Sequence, residues 1–359
     1  MRITSVSAIQ PASAGSPDDW RTWMGQIAVS VETEDGLTGY GVGGGGTAGI
    51  HVVETELRRL LLGCDAARVE DLWDEMYRAT RPYGRKGIAV MAISGVDLAL
   101  WDLRGKREGK PIAGVLGGNC GSPPEAVPCY RTGFSAEEVI RSGAKGFRAL
   151  KFHAGLKPNH DIADVAVPIR RAREALGPDV RLMADAAMNL DVETALRLID
   201  ALHGCNLDWL EEPLPPEDLE GYRKLRDRSP IPIAGGEHEY TADAFRVLMR
   251  DRLHAIVQPD VTWCGGLTEL LKIYSMAEEN GVRVCPHRGS EIWALHAIAS
   301  IDPDPLAESR RPWIDWVNGQ PEIADGRVAP GSEPGFGVTL PSRRYPGSKQ
   351  GEAGTGAST

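Results

Sequence analysis

Three short stretches decide the fold of this chain: RLMADAAM (181–188), DWLEEPLP (208–215) and IAGGEHEY (233–240). Each contains an apolar run that ends in a carboxylate, at Asp185, Glu211 and Glu237. Short apolar runs of this kind are typical of buried strands in a parallel sheet. Successive carboxylates are 26 residues apart, a length that accommodates a strand, a loop, a helix and a return loop. We therefore expect three successive strands to bring these side chains to one rim.

The three carboxylates are candidate metal ligands. Converging oxygen ligands with no cysteine among them suit a hard cation such as Mg²⁺. A single acidic residue after a strand is more simply explained as a helix N-cap or a solvated loop group, but the even spacing of three favours a metal. Neighbouring residues of a strand point to opposite faces, so Glu211 and Glu212 cannot both face the site, and we choose Glu211.

The same texture of short strand, polar loop and helix repeats from Ala126 onward. Eight strand candidates occur, with amphipathic helices between them: VPCYRTG, FRALKFHAG, VRLMADAA, LDWLEEP, IPIAGGE, HAIVQPD, VRVCPHR and PLAES. This alternation predicts an α/β fold, a (β/α)₈ barrel or a barrel that lacks its last helix. Active sites of such barrels lie at the C-terminal ends of the strands.

The rest of the chain predicts a second, mixed unit. Residues 1 to about 43 alternate as antiparallel strands with a hairpin turn at Asp35-Gly36, and a helical pattern follows as far as Gly118. We divide the chain into an α+β domain (1–123), the barrel (124–309), a C-terminal segment that returns to the first domain (310–340) and a tail (341–359). The tail is rich in Gly and Ser and is predicted to be disordered.

Composition excludes several classes of function. The formal charge is −10 and the pI is near 5.4, which argue against a nucleic-acid or anionic-membrane partner. The six cysteines never fall in a C-x-x-C spacing and are expected to be reduced thiols. No signal-peptide core or apolar run of transmembrane length is present. We expect a cytoplasmic protein that acts on a small molecule.

Two segments near the N-terminus are candidate functional loops. The segment from Pro11 to Trp20 is long for a hairpin connection and is interpreted as a possible lid. GVGGGGTAGIH (41–51) resembles a phosphate-binding loop, but it lacks the Lys-Ser/Thr pair and follows a hairpin. We interpret it as a flexible loop or a plain turn.

Polar residues end other predicted barrel strands. Lys151 and His153 share one face of the second strand, either as solvated loop groups or, beside a cation, as bases. Asp260 and His287 end the sixth and seventh strands, where a carboxylate bonded to one imidazole nitrogen would leave the other for proton transfer. Glu308 ends the eighth strand and is either a solvated rim carboxylate or, if protonated, a hydrogen-bond donor to an oxyanion.

These residues together resemble the enolase superfamily and, within it, the mandelate racemase-like subgroup. The resemblance covers nearly the whole chain and rests on several motifs: AISGVDLALWDLRGK, KPIAGVLGG, KFH, EEP, GGEH, QPD followed by WCGGLTE, the PH at His287, and PGFGV. GEHEYT, QPDVTWCGGLTELLKI and the histidine strand followed by PLAES look most like the L-rhamnonate dehydratases and related acid-sugar dehydratases.

The resemblance implies a modified (β/α)₇β barrel under an α+β capping domain. It implies Mg²⁺ on the three carboxylates, an acid/base pair of His287 with Asp260, and a bond from Glu308 to the substrate carboxylate. It also implies a homo-oligomer. Specificity is expected in the capping loops and at the ends of the first strands, where Tyr130 and Arg131 lie, and His238 is a further rim residue expected to bind substrate.

Three departures from the usual pattern bear on the substrate. The second strand ends Lys-x-His where many members have Lys-x-Lys, the usual Asp-x-Asn is Asp185-Ala186-Ala187, and no histidine occurs between Pro11 and Trp20. The expected reaction is Mg²⁺-dependent dehydration of a sugar acid to a 2-keto-3-deoxy acid through an enediolate. The alternatives are a racemase or epimerase on the same scaffold, and a catalytically silent binding protein.

Overall fold

The computed structural model describes residues 1–11, 25–117, 125–154, 161–309 and 316–340. The predicted lid, beyond Pro11, and the predicted disordered tail lie outside these residues. The chain opens with an antiparallel sheet in the order β1-β2-β3, formed by Ile3–Ile9, Ile27–Thr33 and Thr38–Gly43. The predicted hairpin turn is confirmed, because Gly36 adopts a φ of 83° between β2 and β3.

One long helix, Ile88–Glu108, packs against this sheet and has fifteen buried residues. Gly39, Gly41 and Gly43 alternate along β3, and a Cβ on any of them would lie 2.0–2.3 Å from a backbone oxygen of the helix. These glycines let helix and sheet approach closely, and the predicted strand to about residue 43 is confirmed. The rest of the stretch 41–51, expected to be a loop or turn, forms a helix from Gly46. The neighbouring helical segments are Gly46–His51, Arg58–Leu61, Val69–Gly84 and Ile112–Val115, with a π-helix at Val52–Leu57.

Eight parallel strands form the second part of the chain. They are β4 Val127–Gly133, β5 Ala149–His153, β6 Arg181–Asp185, β7 Leu210–Glu211, β8 Ile233–Gly235, β9 Ile256–Val257, β10 Arg283–Val284 and β11 Ala307–Glu308. The ladder runs from β10 through β4 to β11, and the amide of Ser290 donates to the Glu308 carbonyl across the remaining gap. The sheet is thus curled, with its first strand beside its last.

Seven helices alternate with these strands in the described residues: Ala136–Ala144, Ile162–Leu176, Val192–Ala201, Leu219–Arg228, Thr241–Arg250, Leu267–Asn280 and Ile292–Ile301. Four of them begin at a residue whose side chain accepts a backbone N–H of the first turn: Ser135, Asp161, Asp191 and Asp218. The (β/α)₇β fold with an α+β capping unit is confirmed, and no eighth barrel helix follows β11 in the residues that the structure describes.

One apolar layer packs inside the curled sheet. Every parallel strand, or the residue beside it, contributes a single side chain to this layer: Tyr130, Ala149, Met183, Trp209, Ala234, Ile256, Cys285 and Leu306. Side chains alternate along a strand, so the residue two positions further on also faces inward, nearer the C-terminal rim. This layer therefore fixes which residues can line a site at the rim.

The capping helix Ile88–Glu108 is joined to the barrel at the start of helix Leu267–Asn280. The carboxylate of Asp97 accepts the amide of Thr268 at 3.0 Å and its hydroxyl at 2.5 Å. Ser94 accepts the amide of Gly265 at 2.9 Å. Residues of the cap therefore bind the free N–H groups at a barrel helix N-terminus, where a carboxylate is favoured.

The C-terminal segment 316–340 contacts both parts of the fold. Strand β12, Arg327–Val328, pairs antiparallel with β4, while the amide of Phe336 donates to the buried carboxylate of Asp102 in the long capping helix. The amide of Gly335 donates to the Lys110 carbonyl. Among the helices that the structure describes, none is long and apolar enough to cross a membrane.

Candidate functional site

A polar layer lies directly above the apolar layer of the barrel. Seven of the eight inward positions, each two residues beyond an apolar-layer residue, carry a polar side chain: Thr132, Lys151, Asp185, Glu211, Gln258, His287 and Glu308. On the remaining strand the chain turns at Gly236, with a φ of 116°, and presents Glu237. Period-two alternation therefore brings the predicted ligands and acid/base residues to one rim.

Glu211 is the most deeply buried of the three predicted ligands, at 1% exposure. Its carboxylate contacts Lys151 and accepts Trp209 Nε1 at 2.9 Å and Gln258 Nε2 at 2.7 Å. Burial raises the pKa of Glu211, and the negative charge of Asp185 raises it further, against the opposing effect of Lys151.

Buried like charges of this kind call for a compensating cation. Glu211, Asp185 and Glu237 are close enough for each carboxylate to disfavour ionisation of the buried one. All the donors are oxygens, which suits a hard divalent ion better than a soft one. The residues present therefore fit Mg²⁺.

Glu212, which was set aside in favour of Glu211 on sequence, forms a second acidic contact. Its φ of 35° turns the buried side chain toward the next strand, where it accepts the amide of Gly236 at 3.2 Å and contacts His238 Nδ1 at 2.8 Å. Ligand atoms of Glu212, Glu237 and His238 lie within 4.8 Å of one another. His238 is thus held at the rim beside a predicted metal ligand.

Lys151 is a buried cation among carboxylates. Its Nζ contacts Glu211, lies 3.0 Å from Glu308 Oε1 and lies 3.7 Å from Asp185 Oδ2. Burial alone would lower the pKa of Lys151, but the carboxylates of Glu211 and Glu308 raise it well above its ordinary value. His153, further along β5, places Nε2 3.8 Å from Asp185 Oδ2.

Asp260 and His287 lie side by side, as a carboxylate and imidazole must to act as a pair. Asp260 Oδ2 is 3.1 Å from His287 Nδ1. The other ring nitrogen, Nε2, lies 3.4 Å from Glu237 Oε2 and 3.7 Å from Glu308 Oε2. Nε2 therefore points into the acidic cluster, where it can exchange a proton with a bound molecule.

Glu308 accepts hydrogen bonds from several groups. Thr132 Oγ1 donates to it at 2.7 Å and the amide of Arg288 at 2.8 Å. Burial would raise the pKa of Glu308, but Lys151 and His287 outweigh burial and lower it. In this arrangement the group is an ionised acceptor, whereas the proposed oxyanion donor would need a proton.

The two strand-end residues proposed for specificity lie outside the polar layer, although the Tyr130 ring lies below Lys151, 5.6 Å from its Nζ. Tyr130 is fully buried in the apolar layer, edge-on to Trp209 at 5.8 Å. Arg131 is exposed on the opposite face of β4, with its guanidinium 6.0 Å from the Phe147 ring centroid. The structure therefore brings neither into the polar layer.

Sequence reasoning missed three residues that contact the site: Thr132, Gln258 and Arg288. Thr132 and Gln258 could have been predicted from the sequence, because each lies two residues beyond an inward apolar residue. Arg288 had no such signal, since its place depends on an unusual backbone turn.

Two family descriptions match most of the chain. "Mandelate racemase / muconate lactonizing enzyme, N-terminal domain" matches residues 23–117, and "Enolase C-terminal domain-like" matches residues 135–344. The first covers strands β2 and β3 and the helices of the capping unit, and the second covers the barrel from helix Ala136–Ala144 onward and the return segment.

Curated proteins and solved structures give the same likeness. An L-rhamnonate dehydratase from Saccharopolyspora erythraea is 38% identical over 329 residues, covering 88% of this chain and 83% of that protein. A rhamnonate dehydratase from Gibberella zeae complexed with Mg has a TM-score of 0.86 at 30% identity, covering 95% of this chain and 94% of the other. A 3,6-anhydro-D-galactonate cycloisomerase from Zobellia galactanivorans has a TM-score of 0.85 at 31% identity, covering 95% and 97%.

Proposed function

The chain belongs to the mandelate racemase/muconate lactonizing enzyme family of the enolase superfamily, and we propose that it removes water from a sugar acid. The product would be a 2-keto-3-deoxy acid. The observation that carries the proposal is the Asp260–His287 pair, whose second ring nitrogen, Nε2, faces Glu237 and Glu308. Relatives over most of the chain length include enzymes named as dehydratases.

We propose that Asp185, Glu211 and Glu237 hold one Mg²⁺. The all-oxygen donor set and the raised pKa of Glu211 support this assignment. Bound there, the cation would neutralise a substrate carboxylate and the charge that develops on it when the α-proton leaves.

The protein groups act around that carboxylate. His287 Nε2 takes the proton from C2, while Asp260 holds Nδ1 and keeps the ring oriented. The hydroxyl on C3 then leaves as water with a returned proton, and the enol tautomerises to the ketone. In this proposal Lys151 supplies positive charge beside the carboxyl oxygens, and His153 and His238 bind substrate hydroxyls; the support is that each of the three lies beside a carboxylate of the site.

A racemase or epimerase would instead return the proton to the opposite face of C2. That reaction needs a second base across from His287, and Lys151 and His153 on β5 are the residues that would serve. Both reactions begin with proton loss from C2, so the products must distinguish them. The same test addresses a catalytically silent binding protein, which would give neither product.

The proposal is tested with Mg²⁺ and a panel of aldonic acids, with keto-acid formation and exchange of the C2 proton in D₂O as readouts. We expect keto acid from at least one member. His287→Asn should lower kcat by on the order of 10²- to 10⁴-fold, because it removes a general acid/base group, and should leave Mg²⁺ binding intact. If every acid in the panel exchanges its C2 proton and none forms keto acid, the reaction is racemisation and not dehydration. If His287→Asn has the same rate as the wild type, His287 is not part of the mechanism.

A further inference from the structure

Arg288 is an unusual neighbour for an acid/base histidine. It is only 7% exposed and adopts a φ of 55°, although it is not glycine. Its Nη2 contacts the carboxylate of Asp260 and donates to Thr262 Oγ1 at 3.0 Å. The guanidinium carbon lies 5.5 Å from the centroid of the Trp263 ring, within the range of a cation–π contact.

The carboxylate of Asp260 is thereby held at both oxygens. Oδ1 accepts the amide and the hydroxyl of Thr262, each at 2.8 Å. Oδ2 contacts both His287 Nδ1 and the Arg288 guanidinium. A buried carboxylate with this many donors has one preferred orientation, and that orientation aims Oδ2 at the imidazole.

The main chain of Arg288 contacts Glu308, on the other side of the site. Its amide donates to Glu308 Oε2 at 2.8 Å, while its side chain reaches back to Asp260. A single residue can do both only because the chain turns sharply after His287. A left-handed conformation is strained for a bulky residue, and strain of this kind persists where surrounding contacts enforce it.

We propose that Arg288 is a positioning residue that sets the Asp260–His287 pair in line with Glu308. The inference rests on the proposed function, because it assigns that pair to proton transfer. Removing the guanidinium takes one donor from Oδ2 and lets the carboxylate rotate away from Nδ1. The imidazole then loses its fixed direction, and displacement of a reacting group by about 1 Å can cost on the order of 100-fold in rate.

Two variants test this role. Arg288→Met removes the charge and keeps bulk, and Arg288→Gly relaxes the backbone at φ 55° and leaves space for free guanidinium. We expect kcat to fall by at least about 30-fold in both, with KM and the Mg²⁺ dissociation constant changed by less than about threefold. Added guanidinium, at concentrations well below those that unfold the protein, should restore part of kcat in Arg288→Gly alone.

Arg173→Met is the matched control for losing a partly buried guanidinium. Arg173 donates to four backbone carbonyls, those of Cys205, Gly177, Val180 and Asn206, and to none of the site residues. This variant should lower the melting temperature and leave kcat of the folded protein unchanged. If Arg288 were merely structural, its variants would behave in the same way, and that result would overturn the proposal.

A crystal structure of Arg288→Gly provides a readout that does not depend on the identity of the substrate. The distance from His287 Nδ1 to Asp260 Oδ2, 3.1 Å here, should lengthen beyond hydrogen-bonding range. An unmoved pair would overturn the proposal even if no acid is turned over by the wild type. If the wild-type protein turns over none of the acids, that result counts against the proposed function and not against the role of Arg288.

Discussion

Glu211 and Glu212 are adjacent glutamates, both buried, that face different partners. Glu211 lies in the inward row with Lys151 and Gln258, whereas Glu212 turns toward His238. We predict that Glu211→Gln weakens Mg²⁺ binding by on the order of 10- to 100-fold. Isothermal titration of the folded variant with Mg²⁺ measures the change.

Glu212→Gln is the control for this prediction, because it removes a neighbouring charge of similar burial. Its Mg²⁺ affinity should fall by less than that of Glu211→Gln, because Glu212 contacts Gly236 and His238 rather than the proposed cation. If Mg²⁺ binding is instead lost in Glu212→Gln and kept in Glu211→Gln, the cation binds at the cluster of Glu212, Glu237 and His238. The same titrations therefore choose between the two acidic groups.

At the level of single residues, the sequence predicts positions better than it predicts surroundings. The inward direction of Asp185, Glu211 and His287 follows from counting two residues beyond buried apolar side chains. The turn at Arg288 and the rotation of Glu212 follow from positive φ angles, 55° and 35°, that no local pattern announces. Such conformations are enforced by long-range contacts, which a single sequence does not display.

At the level of elements, the start of helix Leu267–Asn280 is the junction of cap and barrel. Gly266 has a φ of 89°, and a Cβ there would lie 2.2 Å from Asp97 Oδ2. We predict that Gly266→Ala lowers the free energy of unfolding by about 2–4 kcal/mol, from backbone strain combined with the clash. Urea denaturation measures the loss.

The other end of the same helix supplies the control. Gly281 also has a positive φ, 63°, but a Cβ there would meet no atom within 4 Å. Gly281→Ala should therefore cost only about 1 kcal/mol, the strain alone. Equal losses in the two variants would show that the contact with Asp97 contributes nothing.

Element boundaries in the barrel were only partly predictable. The apolar runs mark the strands, but four of the eight, β7, β9, β10 and β11, are two residues long in the structure. Polar residues that follow each run, such as Asp260, lie in loops whose conformation depends on the neighbouring strand. The strand pattern to about residue 43 was predicted, but the reason for the glycines of β3 was not, because only the close approach of a helix shows why they are required.

At the level of the whole molecule, two buried histidines link folding to pH. Burial lowers the pKa of His254 and of His296 to about 4, from an ordinary 6.5. His296 is fully buried, and its Nδ1 accepts the amide of Ala113. The unfolded chain therefore binds more protons than the folded one between these values.

The sign of the effect follows from this difference in bound protons. The stabilisation is complete above pH 6.5 and is lost as the pH falls through 4, by up to about 3 kcal/mol per histidine. We predict that His296→Asn, which keeps an acceptor and cannot be protonated, has a shallower loss of stability between pH 6.5 and 4. Urea denaturation across that range measures the slopes, and identical slopes would contradict the assignment.

The union of cap and barrel is the part of the fold that local patterns could not predict. The alternation of strands and helices predicts the barrel, and the resemblance predicts the cap. The bonds that join them pair Ser94 and Asp97 with Gly265 and Thr268, 171 residues away in each case. Contacts at that separation produce no periodic pattern in either segment, so they could not be predicted from the sequence.

The separation of Asp97 from Thr268 also sets a delay during synthesis. A ribosome that adds about 5–20 residues per second needs roughly 10–30 seconds to make the intervening chain. Throughout that time the segment that carries Asp97 cannot pack against the barrel, because Thr268 has not yet been synthesised. The carboxylate whose pKa burial raises to about 7 in the folded protein is ionised and hydrated in the nascent chain, so the waiting face carries a charge that opposes premature aggregation.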